Sequence, residues 1–179
     1  NSPEEARAKV RWLHKYGAEV VKICATGGVF SLGDSVGGQQ LTFEEMKAIA
    51  DEAHMLHLKV AAHAHGDEGI RTAILAGIDT IEHASLVDDE GIRMAVTRKR
   101  PVWFSMDIYN TEYTQADGAK NGVLEDNLRK DREIAQIQRD NFRKAHREGV
   151  KMIFASAAGV MPHDQTGGQV KYMVDCGME

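Results

Sequence analysis

Five apolar runs alternate with helical segments along the whole of this 179-residue chain, and that alternation narrows the fold more than any other feature. The runs are AEVVKICA (18–25), LKVAAHAH (58–65), IDTIEHAS (78–85), PVWFSMDIY (101–109) and VKMIFASAAG (150–159). Each is apolar almost throughout, which predicts parallel strands covered on both faces. The segments between them carry helix signals. Ser2 stands as an N-cap before Pro3, with Glu5 three residues after the cap; Thr42 and Glu45 repeat the pattern. Residues 67–77, 88–99 and 124–148 read as further helices, and 167–176 as the start of another. Gly17, Gly77 and Gly149 mark three helix-to-strand joints, where a left-handed stop favours glycine; His57 and Arg100 occupy the other two. Strand–helix repetition of this kind means an α/β fold with a parallel sheet, in a single domain of ordinary size.

Composition removes several function classes. With 27 acidic against 22 basic residues the net charge is -5, which argues against nucleic acid or an anionic membrane surface as partner. The basic stretch TRKR (97–100) reads as a solvated helix end. Two cysteines with no C-x-x-C spacing predict no disulfide framework and are compatible with a reducing, cytoplasmic compartment. No apolar run reaches the ~18 residues a membrane helix needs, and no signal peptide is visible.

The residues able to do chemistry gather at the carboxyl ends of the strands, the edge where parallel α/β folds bind ligands. Lys22 lies in VVKICATGG, His63 and His65 in AAHAHG, His83 in TIEHAS, Asp107 and Tyr109 in SMDIYN, and His163 in VMPHD. The long connections 25–41 and 109–123 leave the same edge. Imidazoles at the ends of neighbouring strands can share one metal ion. His63 and His65 point to one side, because strand side chains alternate. A lysine in an apolar strand bears a desolvation cost that favours its neutral form. A neutral amine can take up carbon dioxide as a carbamate, whose two oxygens can bridge two metals. Taken singly, each residue is better explained blandly: a hydrogen-bonded strand-end histidine, a snorkelling Lys22 or one paired with Glu19, a solvated or supporting Glu82. Cys24, Met55 and Trp103 read as core packing.

The stretches VKICATGGVFS, QQLTFEEMKAIADEAH, VAAHAHGDEGI, GIDTIEHASLVDDEGI and FSMDIYNTEY resemble the imidazolonepropionase-like, Xaa-Pro dipeptidase-type branch of the amidohydrolase superfamily, which includes ochratoxin-hydrolysing amidohydrolases. The resemblance covers nearly the whole chain. It implies a (β/α)8 TIM-type barrel of which strands four to eight are present, and hydrolysis of an amide or peptide bond by a metal-activated hydroxide. It implies one or two divalent metals such as zinc, held by Lys22 (carboxylated if the centre is binuclear), His63 and His83. His65, Tyr109 and His163 match positions near the substrate pocket. The substrate class implied is a dipeptide or N-acyl amino acid with a free carboxylate.

Departures from that pattern set further expectations. The H-x-H of the family's first strand is absent, together with strands one to three. ASAAG stands where the family has G-T-D-A-G, so Ala157 replaces the acid that binds metal and carries the proton, and no catalytic residue is assigned; Asp164 lies beyond the strand. General acid–base help is typically worth about 10²–10⁴-fold, so low activity is expected. Five strands cannot close an eight-stranded barrel, and two open edges predict pairing with a complementary N-terminal part, self-association into a homo-oligomer, or an open sheet. The rival reading is an inactive fragment or pseudoenzyme serving as a structural module. A flavodoxin-like binding module fits poorly, because no helix opens directly behind the glycine-rich stretch after the first strand.

Overall fold

The computed structural model describes residues 2–179. Seven helices and five strands follow in the order α1 (Pro3–Lys15), β1 (Val20–Cys24), α2 (Phe43–Met55), β2 (Lys59–Ala64), α3 (Asp67–Ala76), β3 (Thr80–His83), α4 (Asp89–Thr97), β4 (Trp103–Ser105), α5 (Asn110–Asp117), α6 (Glu125–Arg147), β5 (Lys151–Ile153) and α7 (Gly168–Asp175) among the described residues. Capping follows the sequence signals. The Ser2 hydroxyl accepts from the Glu5 N–H at 3.2 Å. Thr42 and Glu45 close a reciprocal box, with bonds of 3.2 and 2.9 Å. The three joint glycines adopt the left-handed region, and His57 follows them there at φ 62° despite its Cβ.

All five strands are parallel and lie in sequence order, β1-β2-β3-β4-β5. The parallel sheet is what the alternation of elements predicts, and as an open five-stranded wall it agrees with the partial (β/α)8 barrel that the family resemblance implies. Its register fixes the chemistry: Cys24 lies opposite His63, His63 opposite Glu82, and Ala64 opposite His83.

The two faces of the sheet differ, which corrects the expectation of strands covered on both sides. One face (Val21, Ile23, Val60, Ala62, Ile81, Phe104) packs into the main core with Met46 and Ile49 of α2, Ile70 and Ile74 of α3, Ile92 of α4 and Phe142 of α6. The other carries Val20, Lys22, Cys24, Lys59, Trp103, Lys151 and Ile153, all exposed. In a closed barrel that face is the interior. Trp103 and Cys24, expected in the core, are therefore exposed, and Met55, also expected there, is exposed at the C-terminal end of α2. The last two strands are also shorter than their apolar runs, and α5 occupies half of the connection expected to be a loop.

The 25–41 connection is fastened over the ends of β1 and β2. Gln40 N–H donates to Ala25 O at 2.8 Å, Gly27 and Gly38 pair at 2.8 Å, and Gly37 N–H returns to Gly27 O at 3.0 Å. Gly37 and Gly66 interlock: a Cβ on Gly66 would lie 2.3 Å from the Gly37 carbonyl oxygen. Lys130 of α6 donates to the Ser31 carbonyl at 2.8 Å and ties the far side of the connection down. No helix among the described residues is long and apolar enough to cross a membrane.

Gly66→Ala forces backbone against backbone and is expected to lower stability by about 1–3 kcal/mol in urea unfolding. Gly167→Ala, where an added Cβ meets nothing within 4 Å, is the control and should stay within about 0.5 kcal/mol of the parent.

Candidate metal centre

Three imidazoles converge at the carboxyl ends of β2 and β3. One potential ligand nitrogen from each of His63, His65 and His83 lies within 4.8 Å of the others. Ring centroids are 4.7 Å apart for His63–His65, 4.6 Å for His63–His83 and 4.6 Å for His65–His83. Alternation along β2 sends His63 and His65 the same way. His83 joins them through an unusual backbone, with φ 69° at His83 and 47° at Ala84. Residues in the left-handed region cost free energy and persist where surrounding contacts hold them.

Those contacts are specific. His83 Nδ1 donates to Asp107 Oδ1 at 2.7 Å, so its Nε2 is the free nitrogen. Asp107 is itself held, by Asn110 Nδ2 at 2.7 Å and by Gln138 Nε2 at 3.4 Å; Gln138 also donates to the His83 carbonyl at 3.3 Å. His65 Nδ1 bonds with Ser85 Oγ at 2.8 Å, while its backbone N–H donates to Thr26 Oγ1 at 2.9 Å. Two of the three rings are thus fixed at Nδ1 by a second group, the arrangement that orients imidazole ligands in metal sites. His63 is fixed by packing, since a Cβ on Gly28 would lie 2.8 Å from its Nε2.

Burial and mutual repulsion keep two of the rings neutral. Burial, then His83, then Lys22 lower His63 to about 4. Burial first, then His83 and His63, hold His65 well below the usual histidine range. For His83 burial pulls down, but the Asp107 carboxylate overcomes it and the net shift is upward. Neutral imidazole is the form that binds metal.

The triad opens into a cavity of about 400 Å³, walled by the 25–41 connection, α5, α6 and the segment after β5. Ala157 lines it. So does Asp131 of α6, a carboxylate only 3% exposed. Its Oδ2 accepts from Gln115 Nε2 at 2.5 Å, and burial raises it to about 6. Asp131 was not among the sequence candidates. The available signal was its place on the buried stripe of α6 with Leu128, Ile134, Gln138 and Phe142, where a charged residue is out of keeping.

The other candidates are not part of the three-imidazole cluster. Lys22 sits on the bare face of β1, exposed, so the desolvation cost anticipated for it does not arise; its charge is felt at His63 and His83. The Tyr109 ring packs on Tyr172, with centroids 5.3 Å apart, and its backbone N–H donates to Gln169 Oε1 at 2.9 Å. His163 is exposed on a 3-10 turn. Glu82, opposite His63, accepts from Thr80 Oγ1 at 3.0 Å.

The geometry is that of a wall segment of a parallel barrel with histidines at its strand ends, and comparison with known proteins gives its family. The amidohydrolase family model matches residues 1–179, and the chain belongs to that family. Ochratoxinase of Aspergillus niger is 44% identical over 87 residues, which is 49% of this chain and 18% of the relative. Among solved structures, a Xaa-Pro dipeptidase with methionine bound in its active site superposes with a TM-score of 0.91 at 36% identity, over 99% of this chain and 44% of the other. A putative prolidase from Bifidobacterium longum gives 0.87 at 31%, over 99% and 44% of the two chains. The A. niger ochratoxinase structure gives 0.82 at 29%, over 99% and 39%. The chain therefore spans less than half the length of these relatives.

The raised Asp131 carboxyl makes a stability prediction. The unfolded chain releases this proton near 3.8 and the folded chain near 6, so between those values the native state holds more proton. Stability falls as pH rises through that window and stays lower above it. Asp131→Asn removes this contribution and is expected to stabilise the protein at neutral pH by at most about 3 kcal/mol. Urea unfolding of both proteins at about pH 4 and pH 7.5 checks the difference.

Proposed function

We propose that this chain carries part of the active site of a metal-dependent amidohydrolase that cleaves an amide or peptide bond in a small substrate. The observation that carries this reading is the convergence of His63, His65 and His83, two of them anchored at Nδ1. The donor set fits a divalent ion. Three imidazole nitrogens within 4.8 Å of one another are the donor type and number that would hold such an ion. When bound, such an ion supplies a Lewis acid for the amide carbonyl and lowers the pKa of water. The residues of this chain hold and orient it: His63, His65 and His83 as ligands, Asp107 and Ser85 as the groups fixing His83 and His65. Val29, Phe30, Ile134 and Val160 give the cavity an apolar wall that limits water. Lys22, as a carbamate, would be the further ligand of a binuclear centre; Tyr109 and His163 would act on the substrate side only if closure of the bare face drew them in. The substrate class is a dipeptide or N-acyl amino acid, in keeping with the dipeptidase, prolidase and ochratoxinase among the relatives.

The bare face and the free edges of β1 and β5 call for a covering partner. We infer that it is the complementary part of a barrel, with a second copy of this chain as the alternative. One observation favours a second reading, an inactive member of the family: Ala157 lines the cavity where the resemblance expects an acid, with φ 50°.

Metal content and activity separate these readings. The desalted chain is expected to take up about one zinc, to lose it in His65→Ala and His83→Ala, and to bind it about 10–100-fold more weakly in Asp107→Asn. Ala157→Asp is expected to raise dipeptide hydrolysis by about 10²–10⁴-fold over the parent. Zinc uptake with no hydrolysis in either form selects the inactive reading, and no zinc uptake removes the first.

A further inference from the structure

Asp131 is the buried charge that the proposed chemistry leaves without a task. It lies in the N-terminal third of α6 and lines the wall of the cavity that holds the histidine triad. One of its oxygens, Oδ2, accepts from Gln115 at 2.5 Å. The other, Oδ1, has no hydrogen-bond partner among the described residues, and no cation comes within ion-pair distance of either. The nearby guanidinium groups are engaged elsewhere. Arg139 is bound to Glu112, to Thr111 Oγ1 at 2.9 Å and to the Ile108 carbonyl at 3.2 Å; Arg132 is bound to Glu125.

Among the described residues, the side-chain atoms buried without any partner are Thr114 Oγ1 and Asn127 Oδ1, so Asp131 Oδ1 is open to the cavity, where a ligand donor can reach it. The wall around it shows what that can be. Asp107 lines the same cavity, and no lysine or arginine does among the described residues. A ligand carboxylate would meet two acids there, and the one imidazole shifted upward, His83, is already bonded to Asp107. A ligand ammonium would meet a charge-assisted acceptor at Asp131 Oδ1, beside apolar surface from Ile134 and Val160.

We propose that Asp131 recognises a cationic amine on the substrate, so that this site takes peptide-like substrates with a free α-ammonium group and discriminates against N-acylated ones. The inference rests on the amide-hydrolysis reading for placing that amine beside an amide, and it makes Asp131 a specificity-determining residue.

The test is a calorimetric titration of the whole chain at neutral pH with chelator present, using L-leucinamide, N-acetyl-L-leucinamide and N-acetyl-L-leucine as probes. Leucinamide is expected to bind at least about tenfold more tightly than either acetylated probe. Asp131→Asn should bring leucinamide and its acetylated amide within about twofold of each other, while Asp131→Glu, which keeps the charge, should retain the preference. Equal binding of the amide pair by the parent, no binding of leucinamide at millimolar concentration, or a preference that survives in Asp131→Asn would each overturn the assignment. If a variant fails to fold, the parent's ranking of the three probes still decides. The readout needs neither bound metal nor turnover, so a chain that takes up no zinc can still pass, and a chain that takes up zinc can still fail.

Discussion

The two-residue period of β2 and its register with β1 and β3 is the constraint on which the rest of the structure depends. Because side chains alternate across a strand, Val60, Ala62 and Ala64 go under the helices while Lys59, Ala61 and His63 go to the opposite face. A slip of one residue would bury the imidazole and expose the alanines. Parallel pairing then carries that choice sideways, setting His63 between Cys24 and Glu82 and Ala64 against His83. The covered face is a continuous core, and the bare face collects lysines, a cysteine and a tryptophan.

On that frame the site is assembled by three supports from different parts of the chain. The loop behind β1 presses Gly28 against His63, the turn behind β3 supplies Ser85 to His65, and the segment behind β4 supplies Asp107 to His83. Helix α6 crosses behind them with Gln138 and Asp131. Its polar side chains sit on what amphipathic spacing marks as the inward face. The arrangement is a stability sacrifice of the kind found at functional sites: left-handed backbone at His83 and Ala84, and an incompletely bonded carboxylate at Asp131.

Much of this was legible in the sequence because its signals are local. Capping residues, joint glycines and apolar runs located all five strands and six of the seven helices, and the strand-end histidines marked the edge where three imidazoles converge. Three features were not legible, each for a physical reason. An apolar run gives the composition of a strand but not whether a neighbouring layer covers it, so Trp103 and Cys24 were assigned to a core they do not enter. The period of NTEYTQAD is weakly amphipathic, and α5 was read as loop. Asp131 was hidden because the cavity it lines is closed by segments as distant in sequence as Gly28, although its place on the buried stripe of α6 offered a clue.

The backbone at Ala157 takes a conformation that favours a different side chain. Its φ of 50° lies in the left-handed region, which alanine enters at a penalty and which aspartate and asparagine tolerate better. The main chain at the mouth of the cavity therefore keeps a shape suited to a short polar residue, although a methyl group occupies it. Seen as a sequence landscape, the single step from alanine to an acid runs downhill in local conformational energy. A lineage or a selection experiment that needed a proton carrier here would not have to rebuild the turn to obtain one.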